Sequence, residues 1–163
     1  MVCAFGVGYD LQVTFGSKVR VKVRCFQDGA YAVLFPAKPS SFTRPIDLNG
    51  MRVDLTMTAA EVEGTTFAVG SGSAPDAAAA QAALPAMRQA LLRNIGAQDT
   101  GAAPDEKGRL AVDATGTGNG QPVRLAGRFE ARGTRFYQVI VLGKRSAVEE
   151  EQVEQFLGSF KPQ

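Results

Sequence analysis

The sequence of 163 residues contains no histidine. Histidine is the usual general base near neutral pH, the imidazole member of serine and cysteine triads, and the commonest metal ligand. Its absence argues against the ordinary forms of serine and cysteine hydrolysis. A carboxylate or a lysine could still transfer protons, but no group of such residues converges in the sequence. We therefore expect a protein that is not an enzyme, with no catalytic, cofactor-binding or metal site.

Long apolar runs are also missing. No stretch reaches the ~18 consecutive apolar residues that a membrane span requires, and the opening MVCAFGVGYD lacks the basic region and apolar run of a leader. We expect a soluble protein, cytoplasmic if Met1 is the true start and periplasmic if an upstream leader exists. The two cysteines, Cys3 and Cys25, lack the paired spacing of a zinc site. Whether they form a disulfide stays open, so they do not decide the compartment.

Neither basic nor acidic residues are in large excess. Eighteen basic and sixteen acidic side chains leave a net charge of +2, which is too small to predict a nucleic acid as the partner. With 45% apolar and 21% charged residues, the composition is that of an ordinary globular protein. The length fits one domain that can bury a sizeable core.

Valines alternate with basic residues over residues 18–24, so the two sets fall on opposite sides of an extended chain. The basic members, which we call the basic stripe, are Lys18, Arg20, Lys22 and Arg24. The stripe is a candidate surface for binding another protein. The alternative is that its charges protect an exposed or edge strand from aggregation. No aromatic residues are interleaved with them, as a nucleic-acid platform would require.

Turn residues divide the next part of the chain into strands. Gln27-Asp28-Gly29 predicts a hairpin between the basic strand and AYAVLFP, residues 30–36. The prolines that follow predict a loop with at most a short edge strand near Ile46. Asn49-Gly50 and Glu63-Gly64 predict tight turns, with an alternating strand from Met51 to Met57 between them and TTFAVG pairing back after the second.

The alanine-rich stretch AAAAQAALPAMRQALLRNIG carries apolar residues at helical spacing and ends at Gly96. These features predict a helix with a glycine stop. Pro85 removes one backbone donor and crowds the preceding turn. We therefore predict a kink at Pro85 or a second helix start near Ala83.

The last third predicts a meander of three strands and a closing helix. RLAVDAT, QPVRLAGRFEA and TRFYQVIVLG are separated by turns at Asn119-Gly120 and Arg132-Gly133. The third strand is apolar on both faces, so both faces should be covered. Ser146-Ala147-Val148-Glu149 matches a capping box and predicts that the helix begins there. Its apolar side, which includes Phe156 and Phe160, should pack against the sheet.

Three further patterns have structural explanations. The glycines of GTGNGQPV, residues 115–122, resemble a phosphate-cradling loop, but a strand follows them and the Asn-Gly pair favours a hairpin turn. Met51, Met57 and Met87 could line an apolar groove, although methionines at this spacing usually fill a core. Asp54, Glu61 and Glu63 are interpreted as solvated charges around one hairpin.

QDGAYAVLFPAKPS near the start, the helix ending in RNIG, the strand RFYQVIV and the closing EQFLGSF together resemble the PsbP-like fold. That family includes photosystem II extrinsic proteins, a Ran-binding protein, bacterial lipoproteins of the DcrB type and chaperones of secretion effectors. The resemblance implies a single α+β domain, an α/β/α sandwich in which an antiparallel sheet of about six or seven strands lies between helices. It covers residues 26–163, and residues 1–25 form an N-terminal extension with a basic β-strand.

The resemblance also implies a style of function, because proteins of this fold mostly bind other proteins. We expect a non-catalytic accessory or protein-binding domain whose partner is another protein. A homodimer through the N-terminal strand, added at a sheet edge or exchanged between subunits, is a further hypothesis. The alternative function is a carrier of an apolar small molecule bound between the sheet and a helix.

Overall fold

A computed structural model describes residues 7–13, 19–25, 31–99 and 101–162. For residues 7–13 and 19–25 only the backbone is considered below. The described chain forms one α+β domain with ten strands and two helices. In chain order they are β1 (Val7–Val13), β2 (Val19–Cys25), β3 (Tyr31–Phe35), β4 (Ser40–Leu48), β5 (Met51–Val62), β6 (Thr65–Ser73), α1 (Ala77–Asn94), β7 (Leu110–Gly118), β8 (Gln121–Arg132), β9 (Arg135–Lys144), α2 (Glu150–Ser159) and β10 (Lys161–Pro162).

Six of the strands form an antiparallel sheet with the order β4-β5-β6-β9-β8-β7. Two meanders, β4 to β6 and β7 to β9, join along the long pairing of β6 with β9. Asn49 and Gly50 both have positive φ, 54° and 88°, which is the geometry that a two-residue hairpin turn with right-handed strands requires. The predicted turns and the predicted strands of both meanders are confirmed.

An edge strand at Ile46 is confirmed, but the prediction that it is short and set in a loop over residues 37–50 is wrong, because residues 40–48 all belong to β4 at one edge of this sheet. Pro45 discouraged a strand assignment, since proline cannot donate to a ladder. An edge strand has one side without a partner strand, so a proline there need not break a pairing bond. Among the described residues, Phe42 of β4 is a large apolar side chain that is exposed, at 53% of its full accessibility.

Helix α1 covers one face of the six-stranded sheet. Asp76 caps its start by accepting a hydrogen bond from the backbone N–H of Ala79 at 2.8 Å, and Gly96 (φ 65°) follows its end as predicted. The prediction of a second start near Ala83 is wrong, because one helix runs through Pro85. No helix in the described part of the chain has the length and apolar character needed to cross a membrane.

Large apolar side chains fill the space between α1 and the sheet. Leu84 and Met87 from α1 meet Phe129 of β8 and Phe136 of β9 there, all of them at most 2% exposed. The helix end is held as well, because Thr117 of β7 donates its N–H to the Ile95 carbonyl at 2.7 Å. The first face of the sheet is therefore a closed core.

The opposite face is covered by a second layer. This layer contains α2 and a four-stranded antiparallel sheet with the order β1-β2-β3-β10. The pairing of β2 with β3 was predicted, whereas residues 26–30 of the predicted turn lie outside the described residues. Strand β2 lies between β1 and β3, so the basic strand is not an edge strand, and the alternative that it is an exposed strand stays a prediction.

Helix α2 begins at Glu150, four residues after the predicted start. Ser146 lies in a turn, and the cap residue Glu149 makes no side-chain capping bond. The capping-box prediction is therefore wrong. Glu150 and Glu151 still occupy the first turn, where negative charge interacts favourably with the helix dipole.

Aromatic side chains join the second layer to the six-stranded sheet. Phe156 of α2 lies between Phe35 of β3 and Phe67 of β6, with ring centroids 5.2 and 5.4 Å away. Phe160 contacts Tyr31 and Tyr137 in the same way, at 5.6 and 5.5 Å. Such pairs contribute about 0.5–1.5 kcal/mol each beyond the area that they bury. The prediction that both faces of β9 are covered is confirmed.

An ion-pair cluster adds a polar clamp to this layer. Arg124 of β8 donates to both carboxylate oxygens of Asp113, at 3.0 and 2.8 Å, and lies 2.7 Å from a carboxylate oxygen of Glu150. Hydrogen bonds to Asp113 and Glu150 raise the pKa of Arg124 above its usual value. The clamp connects the first turn of α2 to β7 and β8.

Two glycine substitutions test how closely the elements approach. A Cβ on Gly116 would overlap the Ile95 carbonyl, so Gly116→Ala should force β7 away from α1 and lower the free energy of unfolding by about 1–3 kcal/mol.

Gly158 lies in α2 with no atom near a Cβ. Gly158→Ala should raise the free energy of unfolding by up to about 1 kcal/mol, because alanine is the better helix former. Urea unfolding of both variants measures the two changes, and a neutral Gly116→Ala would contradict the close approach.

Candidate functional site

A recess of about 370 Å³ opens where β10 approaches β8 on the second face of the sheet. We call it the basic recess. It is lined by five cationic side chains, one carboxylate and three apolar residues: Lys107, Arg109, Arg128, Arg132, Lys161, Glu130, Ala131, Phe160 and Pro162.

Three parts of the chain bring these residues together. Alternation along β8 places Arg128, Glu130 and Arg132 on the second face, opposite the buried Phe129. The docking of Phe160 carries Lys161 and Pro162 to β3, where they pair with Ala32 and Tyr31. The turn before β7 supplies Lys107 and Arg109. The recess therefore depends on the second layer being in place.

Arg128 and Glu130 form the inner wall of the recess. The Nε of Arg128 lies 2.9 Å from the Oε2 of Glu130, and the two side chains are 24% and 10% exposed. The atoms are close enough for an ion pair, but their alignment does not make a hydrogen bond, and both are buried without a hydrogen-bond partner among the described residues. Arg128 also donates a long hydrogen bond, 3.4 Å, to the Leu157 carbonyl of α2.

The outer wall is more open. Arg132 donates from Nη1 to the Pro162 carbonyl at 3.2 Å, which connects β8 to β10 across the mouth. Lys107 and Lys161 are exposed at the rim. Lysine ammonium groups at such a rim raise the local concentration of anions without being fixed by internal pairs.

A tight turn around Asp105 positions Lys107 and Arg109. The Oδ1 of Asp105 accepts hydrogen bonds from the N–H groups of Lys107 and Arg109, both at 2.9 Å, and its Oδ2 accepts one from Arg109 Nε at 2.7 Å. These bonds, with the backbone bond from Arg109 the largest contribution, hold the pKa of Asp105 below its ordinary value of 3.8. The turn therefore keeps its shape while the carboxylate is ionised.

This arrangement is suited to binding an anion. Guanidinium and ammonium groups from three separate chain segments converge on one concave surface, and charge-assisted hydrogen bonds to carboxylate or phosphate oxygens are among the stronger polar contacts in proteins. Phe160 and Ala131 give the recess apolar surface as well. A volume of about 370 Å³ accommodates one side chain or a small ligand.

The basic stripe lies elsewhere. Lys18 is outside the described residues, and Arg20, Lys22 and Arg24 belong to β2. In the four-stranded sheet β3 separates β2 from β10, so the structure does not bring the stripe and the basic recess together. The stripe stays a candidate partner-binding surface.

The other residues considered from sequence have structural places. Gly118 and Gly120 lie at the β7–β8 hairpin, as predicted. Met57 and Met87, 8% and 2% exposed, belong to the core under α1, so a ligand bound between sheet and helix would have to displace them. Within residues 31–99 and 101–162, no group of three candidate ligands could hold a metal ion.

Sequence reasoning missed the basic recess. The alternation of QPVRLAGRFEA puts Arg124, Arg128 and Glu130 on one face of β8, but it does not indicate a recess there. The usable signal was the position of the strand, because charges on the covered face of an interior strand need partners. No spacing in the sequence predicts that these residues converge with Lys107 and Lys161.

Comparison with protein-family models, with curated proteins and with solved structures found no match. The geometry and charge of the recess are therefore the features that bear on function.

The Asp105 turn gives a pH-dependent prediction. Folding lowers the pKa of Asp105. At pH values above the ordinary pKa the ionised carboxylate therefore stabilises the folded state, and this stabilisation is lost as the pH falls through the lower pKa of the folded protein. Asp105→Asn should therefore have a lower melting temperature near neutral pH, with a difference that narrows as pH falls below 3.8. The exposed neighbour Glu106 provides the control, Glu106→Gln. A melting-temperature difference that stays constant from neutral pH to below 3.8 would contradict the role of the ionised carboxylate.

Proposed function

We propose that the protein is a non-catalytic accessory domain that binds an acidic segment of another protein in the basic recess. The observation that carries this proposal is the convergence of five cationic side chains and a single carboxylate on one concave surface. The cations at the rim attract the segment, and the guanidinium groups of Arg128 and Arg132 bind its anionic group.

The position of the recess supports recognition of a protein chain. The recess lies beside β10 and the end of α2, so its anionic ligand can extend across neighbouring surface of the second layer. Its walls are held by a strand pairing, by the Arg132 contact to Pro162 and by the buried Phe160. A site formed before its ligand arrives loses less conformational entropy on binding.

We also propose that the domain has the PsbP-like α/β/α arrangement that its sequence resembles. The placement of α1 on one face of the six-stranded sheet and of α2 on the other supports this proposal. The family resemblance adds protein binding as the expected style of function, but a shared fold does not by itself determine function.

The hypothesis of strand exchange through residues 1–25 can be tested separately. If the N-terminal strands exchange between subunits, light scattering should give the mass of a dimer and residues 1–25 should resist limited proteolysis. A monomer in which residues 1–25 are readily cleaved would contradict it.

The recess proposal is tested with a fluorescein-labelled hexaglutamate peptide. Lys107 and Lys161 are exposed and line the recess, so Lys107→Glu with Lys161→Glu should remove attraction without disturbing the core. Binding measured by fluorescence anisotropy should weaken by about tenfold or more, which is about 1.4 kcal/mol. Raising the salt concentration should weaken binding to the unmodified protein.

Lys38→Glu with Lys144→Glu is the matched control, because both lysines are exposed and lie outside the recess while the net charge changes equally. We expect this control to retain most of the affinity. If both double variants lose affinity equally, the peptide responds to net charge alone and the proposed site is wrong. Copurification of the same partner with the control variant, and its loss with the recess variant, would extend the result to the cell.

A further inference from the structure

Glu130 is an unexpected residue for a site that binds only negative charge. It is 8% exposed, lines the recess, and has an Oε2 atom without a hydrogen-bond donor in the described structure. The Nε of Arg128 lies 2.9 Å from that atom as its ion-pair partner, but the alignment leaves both atoms without a hydrogen bond, and both are enclosed by the protein. When the Glu130 carboxylate turns toward the recess, this oxygen can accept a well-aligned hydrogen bond from a ligand that brings a donor.

The ligand must therefore satisfy two requirements at one place. Its negative charge must face Arg128, Arg132 and the rim lysines, and a hydrogen must point at Glu130. A fully ionised carboxylate or sulfate meets the first requirement only, and Glu130 would repel it. A phosphate monoester meets both, because its second pKa is about 6 and its monoanion retains one P–O–H.

We infer that the anion taken by the basic recess is a phosphate monoester on the partner protein, with Glu130 as the residue that selects phosphate over sulfate and carboxylate. This inference rests on the proposed function, since it names the acidic group that the recess recognises. In the bound state the Glu130 carboxylate turns into the recess, its Oε2 accepts a hydrogen bond from the P–O–H, and the remaining phosphate oxygens accept hydrogen bonds from Arg128 and Arg132. The charged rim supplies attraction, and Glu130 supplies selectivity.

The test compares inorganic phosphate with sulfate at equal ionic strength near pH 6, about where half of a phosphate monoester carries the proton. Titrations followed by amide chemical shifts of residues 128–132 and 160–162 give both affinities. We expect the unmodified protein to bind phosphate at least about tenfold more tightly than sulfate, since one charge-assisted hydrogen bond separates the two complexes.

Glu130→Gln should reduce this preference to about twofold or less, because an amide can donate to sulfate as well as accept from phosphate. The control is Glu154→Gln at an exposed position of α2, which should keep the preference. The ratio of affinities in the unmodified protein decides the question even if Glu130→Gln does not fold.

A second pair of probes separates a phosphorylated side chain from free phosphate. A phosphoserine peptide should bind more tightly than the same peptide with aspartate in place of phosphoserine. Equal affinities for phosphate and sulfate would overturn the role of Glu130, while hexaglutamate binding in the recess would leave the proposed function standing. Binding of inorganic phosphate without the phosphoserine peptide would overturn the assignment to a partner protein, and the absence of binding by every probe would contradict both proposals.

Discussion

The aromatic contacts of Phe156 and Phe160 are the interactions on which the rest of the second layer depends. They hold α2 and the short β10 against β3 and the six-stranded sheet. A two-residue strand has too few backbone hydrogen bonds to stay in place alone, so its position follows from the burial of the preceding phenylalanine. The basic recess exists because this docking carries Lys161 and Pro162 to the charged side of β8.

The two faces of the six-stranded sheet differ in the character of their packing. Under α1 the packing is apolar and close, with Gly116 and Gly127 in positions where a Cβ would meet backbone atoms of the neighbouring element. The other face has an aromatic centre but carries Arg124, Arg128, Glu130 and Arg132 of β8 toward its margin. Arg124 is neutralised by Asp113 and Glu150, whereas the last three lie in the recess. The charge to which we assign binding is thus held on an interior strand, which is a rigid support.

Much of the fold was predictable because local residues determine it. Asn49-Gly50 and Asn119-Gly120 adopt the positive φ angles that hairpins need, and the two-sided apolar pattern of β9 matches its place between β6 and β8. The errors arose where tertiary context overrode a local preference. Pro45 lies within a strand because β4 is at the edge of its sheet, and Pro85 lies within α1 because packing holds the helix together. Ser146 does not cap α2 because the chain turns before the helix begins. The recess was not predictable, since its residues come from three segments that strand pairing and the aromatic docking bring together.

The central claim is that this docking forms a site for a phosphate group between β8 and β10. The most direct measurement is a crystal structure of the protein grown with phosphate as the multivalent anion present. We expect a tetrahedral anion in the recess, with one oxygen within hydrogen-bond distance of Glu130 Oε2 and others facing Arg128 and Arg132. A recess filled only by water, with Glu130 and Arg128 hydrogen-bonded to each other, would contradict it.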